Sequence, residues 1–241
     1  SNFSNKSNNV GYAQNLKTYV RKPFYLENYQ NNLVILTSDN EIFYNDIDNI
    51  LKNQNLIKIE NNLDFVTSLD IFVNDQDIYV SGIKMINECA HFQVAKGKIK
   101  SLKEIKFTKI FSSQECSSLP QAGRIQKLHG SNSILVSTGA DILKRKDEYD
   151  PKPQDEKSIF GKILKINLDD NSFSIFSKGH RNILGLYSDE KVILATENGP
   201  KGGDEINNIK SNYNYGWPIA SYGQKYKSTE QNKDLDYKDN H

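Results

Sequence analysis

The sequence predicts an all-β protein, and two observations carry that prediction. Short runs rich in Val, Ile, Phe and Tyr follow one another closely and are bounded by Asn, Asp, Gly and Ser, the pattern of strands and turns. Only residues 45–53 show a helix-like spacing, and that stretch is short. Many short strands without long helices between them favour a sandwich, a barrel or a propeller.

The predicted strands begin after a polar and aperiodic stretch, residues 1–16, which we expect to be a loose N-terminal segment. Residues 17–241 are then expected to form a single domain. The strands are predicted at Leu33–Thr37, Glu41–Tyr44, Leu56–Ile59, Asp77–Val80, His91–Ala95, Ile134–Ser137, Ile163–Ile166, Phe173–Phe176 and Val192–Thr196.

Three segments of the chain resemble one another, starting near Phe65, Ala122 and Asn182. In each, one strand is followed by a turn and by a strand of the form DIYVSG, ILVSTG or VILATENG. The repeat spans roughly 55–60 residues, a little longer than the blade of a typical propeller. The pattern favours a β-propeller of four-stranded antiparallel blades over a chance succession of hairpins.

A charged segment interrupts this pattern at residues 141–157, which contain two prolines and no apolar periodicity. We expect a long inter-strand loop there. Such a loop is either a solvated insertion, which the composition favours, or a segment that rises over one face of the propeller and shapes a site.

Composition excludes several partners. The formal net charge is +1, which removes the electrostatic reason to expect binding to nucleic acid or to an anionic membrane. No run of about 18 apolar residues predicts a membrane span. The two cysteines, Cys89 and Cys116, leave a disulfide and two buried thiols as open alternatives.

The residues that suggest chemistry lie between Gly179 and Pro218. Arg181 offers a planar set of donors that suits a carboxylate, a quinone oxygen or a phosphate, and Asn182 adds two donors and an acceptor. The alternative for Arg181 is a structural ion pair.

A tight turn follows the strand VILAT in the same stretch, and Gly199 and Pro200 leave backbone carbonyls there that suit Ca²⁺. Asp204 and Glu205 come shortly afterwards, and Tyr215 lies in the sequence NYGWP. The alternative is a glycine-rich connection that needs only positive φ angles.

The segments GHRNILGL, TENGPKGGDEIN and NYGWP resemble the glucose/sorbosone dehydrogenase family, and the resemblance covers roughly residues 63–223. Members of that family are six-bladed β-propellers that bind pyrroloquinoline quinone (PQQ) and Ca²⁺. They oxidise aldoses to lactones in the periplasm or outside the cell. The resemblance therefore implies a small sugar as substrate, an electron acceptor as partner and a periplasmic or secreted location.

Carried onto this chain, the resemblance assigns quinone contacts to Arg181, Asn182 and Asn198. It assigns metal contacts to the carbonyls of Gly199 and Pro200, and to Glu205 and Tyr215.

The chain departs from the family pattern in two ways. Pro120 stands where the family has the histidine that acts as the base, and proline cannot accept a proton. About four blades are expected where the family has six, so the propeller is expected to be incomplete. Besides a sugar dehydrogenase, the sequence therefore allows a non-catalytic propeller that binds without turnover, or a Ca²⁺-dependent lactonase-like hydrolase.

Overall fold

Four β-sheets form the fold of this chain in a computed structural model that describes residues 23–52, 54–117, 122–140 and 150–223. Three expectations fall wholly or partly outside these ranges: the loose segment 1–16, the base position Pro120, and residues 141–149 of the charged loop. The sheets are the blades of a β-propeller, as the sequence predicts.

Blade 1 consists of β1 (Phe24–Tyr29), β2 (Asn32–Thr37), β3 (Ile42–Asp46), α1 (Ile47–Leu51) and β4 (Ile57–Asn61). The four strands pair antiparallel in chain order. Helix α1 lies within the stretch that the sequence marks as helical. Asp46 caps it by accepting a hydrogen bond from the backbone N–H of Asp48. The repeat pattern did not reveal this first blade.

Blade 2 consists of β5 (Thr67–Asn74), β6 (Asp77–Ile86), β7 (Cys89–Lys98) and β9 (Thr108–Ser112). The short strand β8 (Glu104–Ile105) pairs parallel with β4 and so joins blade 1. Cys89 forms a disulfide with Cys116, which resolves the alternative that the sequence left open. The bridge ties the β6–β7 hairpin to the segment that follows β9.

Blade 3 consists of β10 (Ala122–Leu128), β11 (Ser133–Thr138), β12 (Lys162–Asn167) and β13 (Phe173–Lys178). Blade 4 has three strands in the described part of the chain, β14 (Ile183–Ser188), β15 (Ile193–Glu197) and β16 (Glu205–Asn208). The starts of β5, β10 and β14 coincide with the three starts of the sequence repeat to within two residues.

The first strands of the blades are neighbours: β5 contacts β1 and β10, and β10 also contacts β14. Three apolar clusters fill the spaces between successive blades. Leu36 and Ile42 of blade 1 pack with Ile78 and Val80 of blade 2, for example, and Ile163 of blade 3 packs in the cluster that reaches blade 4. Burial of these side chains between sheets is the main force that holds the blades side by side.

The end of β13 and the start of β14 approach the loop that carries NYGWP. Gly179 has φ +77°, and a Cβ there would lie 2.7 Å from the backbone nitrogen of Gly216, so only glycine allows this approach. The Trp217–Pro218 peptide bond is cis. Within the described residues, no helix has the length and apolar character needed to cross a bilayer.

Candidate functional site

The residues of the GHRN sequence connect β13 to β14 and form the centre of the candidate site. Arg181 directs its guanidinium at the residue after β15: Nη1 donates to the backbone oxygen and to Oδ1 of Asn198, both at 2.8 Å. The guanidinium carbon also lies 5.3 Å from the centre of the Trp217 ring, within range of a cation–π interaction. Three segments far apart in sequence therefore meet at Arg181.

Arg181 keeps its positive charge uncancelled, since both oxygen atoms that its guanidinium contacts are neutral. Among the described residues, no Asp or Glu carboxylate lies within ion-pair distance of it. A charged guanidinium with neutral partners attracts an anionic ligand more strongly than one already paired with a carboxylate.

Asn182 contributes a buried acceptor beside this cation. Its side chain is 6% exposed, and Oδ1 has no hydrogen-bond partner in the structure. Its backbone oxygen accepts from the backbone N–H of Asn198 at 3.0 Å. Buried polar atoms without a partner are rare because each costs free energy. Among the described residues, this oxygen is therefore an acceptor that is free to receive a further donor.

The turn after β15 brings the expected metal residues near the same place. Gly199 packs so closely on the backbone of Gly203 that a Cβ would overlap the Gly203 oxygen, and its N–H donates to Asp204 Oδ1 at 2.9 Å. Pro200 is buried, and Glu205 is half-buried and accepts from the Asn207 side chain at 3.0 Å. Within the described residues, no group of three or more His, Cys, Asp and Glu side chains forms a metal cluster.

Tyr215, in the loop that carries NYGWP, packs against the GHRN segment. Its ring stacks on His180 with centroids 4.7 Å apart, and its hydroxyl donates to the Asn208 oxygen and accepts from the Lys210 N–H. The hydroxyl oxygen thus has one lone pair left for any further contact. Burial is the leading cause that raises the pKa of Tyr215 above its usual value.

In this region the sequence indicates no role for one buried pair, and it offers a role in the site for the charged loop only as the less favoured alternative. His180 and Glu197 are both buried, and His180 Nδ1 lies 3.0 Å from Glu197 Oε2. Part of the charged loop, residues 150–157, packs against the protein. Pro153 is buried, and its backbone oxygen accepts a hydrogen bond from the Gly179 N–H at 3.0 Å. Gln154 Nε2 donates to the Trp217 oxygen at 2.6 Å. This loop therefore supports the wall of the site.

The fold and this arginine-centred corner define a class: a β-propeller that holds an arginine with neutral partners at the start of a blade. A family model described as Glucose / Sorbosone dehydrogenase matches residues 34–240. The chain therefore belongs to the glucose/sorbosone dehydrogenase family.

Similar proteins agree with this family. The chain is 35% identical to aldose sugar dehydrogenase YliI of Escherichia coli over 32% of this chain and 24% of that protein. It is 42% identical to quinoprotein glucose dehydrogenase B of Acinetobacter calcoaceticus over 29% of this chain and 17% of that protein. A further relative is the uncharacterised protein slr1608 of Synechocystis, 43% identical over 32% of this chain and 22% of that protein.

Solved structures show the same fold. A glucose dehydrogenase crystal structure superposes with a TM-score of 0.73 at 20% identity, over 85% of this chain and 65% of that one. The PQQ-bound aldose sugar dehydrogenase of Streptomyces coelicolor superposes with a TM-score of 0.65 at 22% identity, over 83% of this chain and 63% of that one. The chain thus spans slightly less than two thirds of these structures, and its alignments cover a quarter or less of the curated relatives.

Proposed function

We propose that this chain binds PQQ and Ca²⁺ and serves the oxidation of an aldose to its lactone, with a separate electron acceptor. One observation carries the proposal: two unusual groups are neighbours in the chain. Arg181 is a cation whose partners are neutral, and Asn182 Oδ1 is a buried acceptor without a partner among the described residues. Membership of the glucose/sorbosone dehydrogenase family supports the same class of reaction.

The three proposed quinone contacts suit PQQ because that molecule carries three carboxylates and two adjacent quinone oxygens. Arg181 supplies a charged donor for an oxygen of this kind, and Asn198 holds its guanidinium in place. Asn182 supplies the buried acceptor for the ring N–H of such a ligand. PQQ, when bound, supplies the acceptor for the two electrons and two protons that an aldose loses on becoming a lactone.

We assign Ca²⁺ to the turn after β15, with the carbonyls of Gly199 and Pro200 and the Glu205 carboxylate as ligands. These are hard oxygen donors, which Ca²⁺ prefers. The Tyr215 hydroxyl bonds to the Asn208 oxygen, at the other end of β16 from Glu205. The close approach of Gly199 to the Gly203 backbone shows that this turn is tight. A lactonase-like hydrolase would need a carboxylate-rich metal cluster, which the described residues do not contain.

Turnover requires a base, and this chain has Pro120 where the family has its histidine. His129, the nearest histidine after that position, lies exposed in the β10–β11 turn. We therefore propose quinone binding as the primary property. The non-catalytic propeller remains the alternative to a working dehydrogenase, since it would keep the same site without turnover.

A periplasmic or extracellular location belongs to this proposal. The Cys89–Cys116 disulfide supports it, because such bonds persist in oxidising compartments and are rare where thiols are kept reduced.

Calorimetric titration of the purified chain with PQQ, with and without Ca²⁺, tests the proposal. Saturable binding that depends on Ca²⁺ is expected, and a screen of aldoses with a redox dye then separates the dehydrogenase from the non-catalytic propeller. No heat of binding at high micromolar PQQ would overturn the proposal. The variant Arg124→Lys is a matched control, because it changes an arginine at the start of another blade.

A further inference from the structure

The carboxylate of Glu197 is buried in the wall of the site. The side chain is 7% exposed, so its charge is withdrawn from water. One oxygen accepts from the backbone N–H of Arg181, and the other lies 3.0 Å from Nδ1 of His180. A buried carboxylate is stable when donors satisfy both oxygens, as here.

His180 extends this contact away from the site. Its ring is fully buried, Nε2 lies 2.8 Å from Ser177 Oγ, and one face stacks on Tyr215. A neutral ring protonated at Nδ1 satisfies both contacts, since Nδ1–H donates to Glu197 and Nε2 accepts from Ser177. The imidazole is thus held on two edges and one face, and it is buried from solvent by the described residues.

Glu197 and its neighbour Asn198 together hold Arg181 at two points. Glu197 accepts a hydrogen bond from the Arg181 backbone N–H. The backbone and side-chain oxygens of Asn198 accept hydrogen bonds from the guanidinium. The side chain of Arg181 is therefore fixed at both ends, which reduces the entropy lost when a ligand binds.

We infer that Glu197 is a positioning residue, which holds the Arg181 backbone so that the guanidinium faces the quinone site. The inference rests on the proposed function and deepens it. Glu197 does not touch the ligand. It acts through Arg181, and His180 keeps the carboxylate in its orientation.

Glu115 provides a matched control elsewhere in the fold. Its Oε1 accepts from Ser158 Oγ and from the Ile159 N–H, both at 2.6 Å, so it also satisfies one side chain and one backbone donor. Among the residues that the structure describes, no arginine backbone donates to it. A variant at this position measures what the loss of such a carboxylate does to stability alone.

The experiment compares Glu197→Ala, Glu197→Gln and Glu115→Ala in the full chain. The first readout is the dissociation constant of PQQ, followed through the fluorescence of Trp217, the single tryptophan of the chain, which contacts Arg181. The second readout needs no quinone: it is the rate at which phenylglyoxal modifies Arg181, measured by peptide mass spectrometry. Urea unfolding of each variant gives the stability.

Glu197→Ala is expected to weaken PQQ binding at least tenfold and to speed the modification of Arg181 several-fold. Glu197→Gln is expected to keep the PQQ affinity and the Arg181 modification rate close to those of the wild type. Its amide oxygen still accepts from the Arg181 N–H, and its amide N–H₂ donates to the other tautomer of His180. Glu115→Ala is expected to lose stability without changing either readout. If Glu197→Ala does not fold, Glu197→Asp replaces it, since the shorter side chain cannot reach both donors.

Equal PQQ affinity and equal Arg181 modification in Glu197→Ala and Glu115→Ala would overturn the positioning role. Failure of the wild-type chain to bind PQQ would instead overturn the proposed function. In that case the modification rate alone decides whether Glu197 positions Arg181.

Discussion

Arg124 and Arg181 stand at comparable places in successive blades, yet their partners differ in charge. Arg124 lies near the start of β10, and its Nη1 donates to the Asp70 carboxylate of blade 2 at 2.8 Å. Arg181 precedes β14, and its Nη1 donates to the neutral oxygens of Asn198. Each guanidinium also lies over an aromatic ring, Tyr25 for the first and Trp217 for the second.

The difference separates a joint between blades from a site for a ligand. Asp70 accepts from both Arg124 and the backbone N–H of Ile125, so it fastens blade 2 to blade 3. The Asp70 carboxylate therefore neutralises the charge of Arg124 within the protein. The carboxylate near Arg181, that of Glu197, accepts a hydrogen bond from the Arg181 backbone N–H and not from the guanidinium. The guanidinium charge is therefore available to a ligand. Position in the blade alone does not reveal which role an arginine has.

The largest effect on stability is expected from Arg124→Ala. Removing one partner of a buried ion pair leaves the other charge uncompensated, which costs about 3–5 kcal/mol. Because Asp70 is buried, we expect the variant to lose about 3 kcal/mol at pH 8 in urea unfolding. Arg181→Ala removes hydrogen bonds to neutral atoms and the partly exposed contact with the Trp217 ring, leaves no buried charge unpaired, and should lose about 1.5 kcal/mol. Equal losses for the two variants would contradict the comparison.

A comparable effect is expected from the double variant Cys89→Ser, Cys116→Ser. The bridge closes a loop with a sequence separation of 27, and the loss of such a cross-link costs about 3 kcal/mol in the chain-entropy model. The bridge belongs to the joint between blades 2 and 3, since the neighbouring Glu115 holds Ser158 and Ile159. The emission of Trp217 in the folded state should therefore not change. A shift in that emission would show that the two regions are coupled.

A smaller effect is expected from pH. Burial is the main cause that raises the pKa of Glu27 to about 7, and burial also raises the pKa of Asp70 to about 6 against the opposing effect of Arg124. Between pH 4.5 and 7 the folded state therefore binds more protons at Glu27 than the unfolded state does. Stability falls as pH rises through that range.

Glu27→Gln should flatten this dependence. A shift of this size corresponds to roughly 3 kcal/mol for a fully buried group. Because solvent screens the half-buried Glu27, we expect about 1 kcal/mol. Urea midpoints at pH 5 and pH 7.5 measure the difference, with Glu41→Gln, at an exposed ion pair, as the control. An unchanged difference in Glu27→Gln would show that this carboxyl is not the cause.

The strands were predictable from the sequence because alternation and turn residues are local signals. β11 and β12, for example, contain the predicted runs Ile134–Ser137 and Ile163–Ile166 within one or two residues of their ends. Blade 1 was not recognised as a repeat, although three of its strands were predicted to within two residues of their observed bounds.

The contacts that organise the site were not predictable in the same way. Glu197 bonds to a histidine 17 residues earlier, and Gln154 bonds to a residue 63 positions later. Such pairs depend on how blades 3 and 4 are placed, which no local pattern encodes. The sequence therefore indicated Arg181 and Asn182 through their hydrogen-bonding chemistry and Asn198 through the family resemblance, but it did not indicate Glu197 or Gln154, which support them.

The most direct test of the account is a PQQ titration of the wild-type chain and of Arg181→Ala, followed through the emission of Trp217 in the presence of Ca²⁺. Hydrogen bonds that involve a charged group contribute about 1.5–3 kcal/mol, so their loss corresponds to roughly a tenfold to hundredfold change in affinity. If Arg181 binds the quinone, the wild-type chain shows saturable binding, Arg181→Ala loses affinity by that factor, and Arg124→Lys stays close to the wild type. Equal affinity in the wild type and Arg181→Ala would show that Arg181 does not bind PQQ.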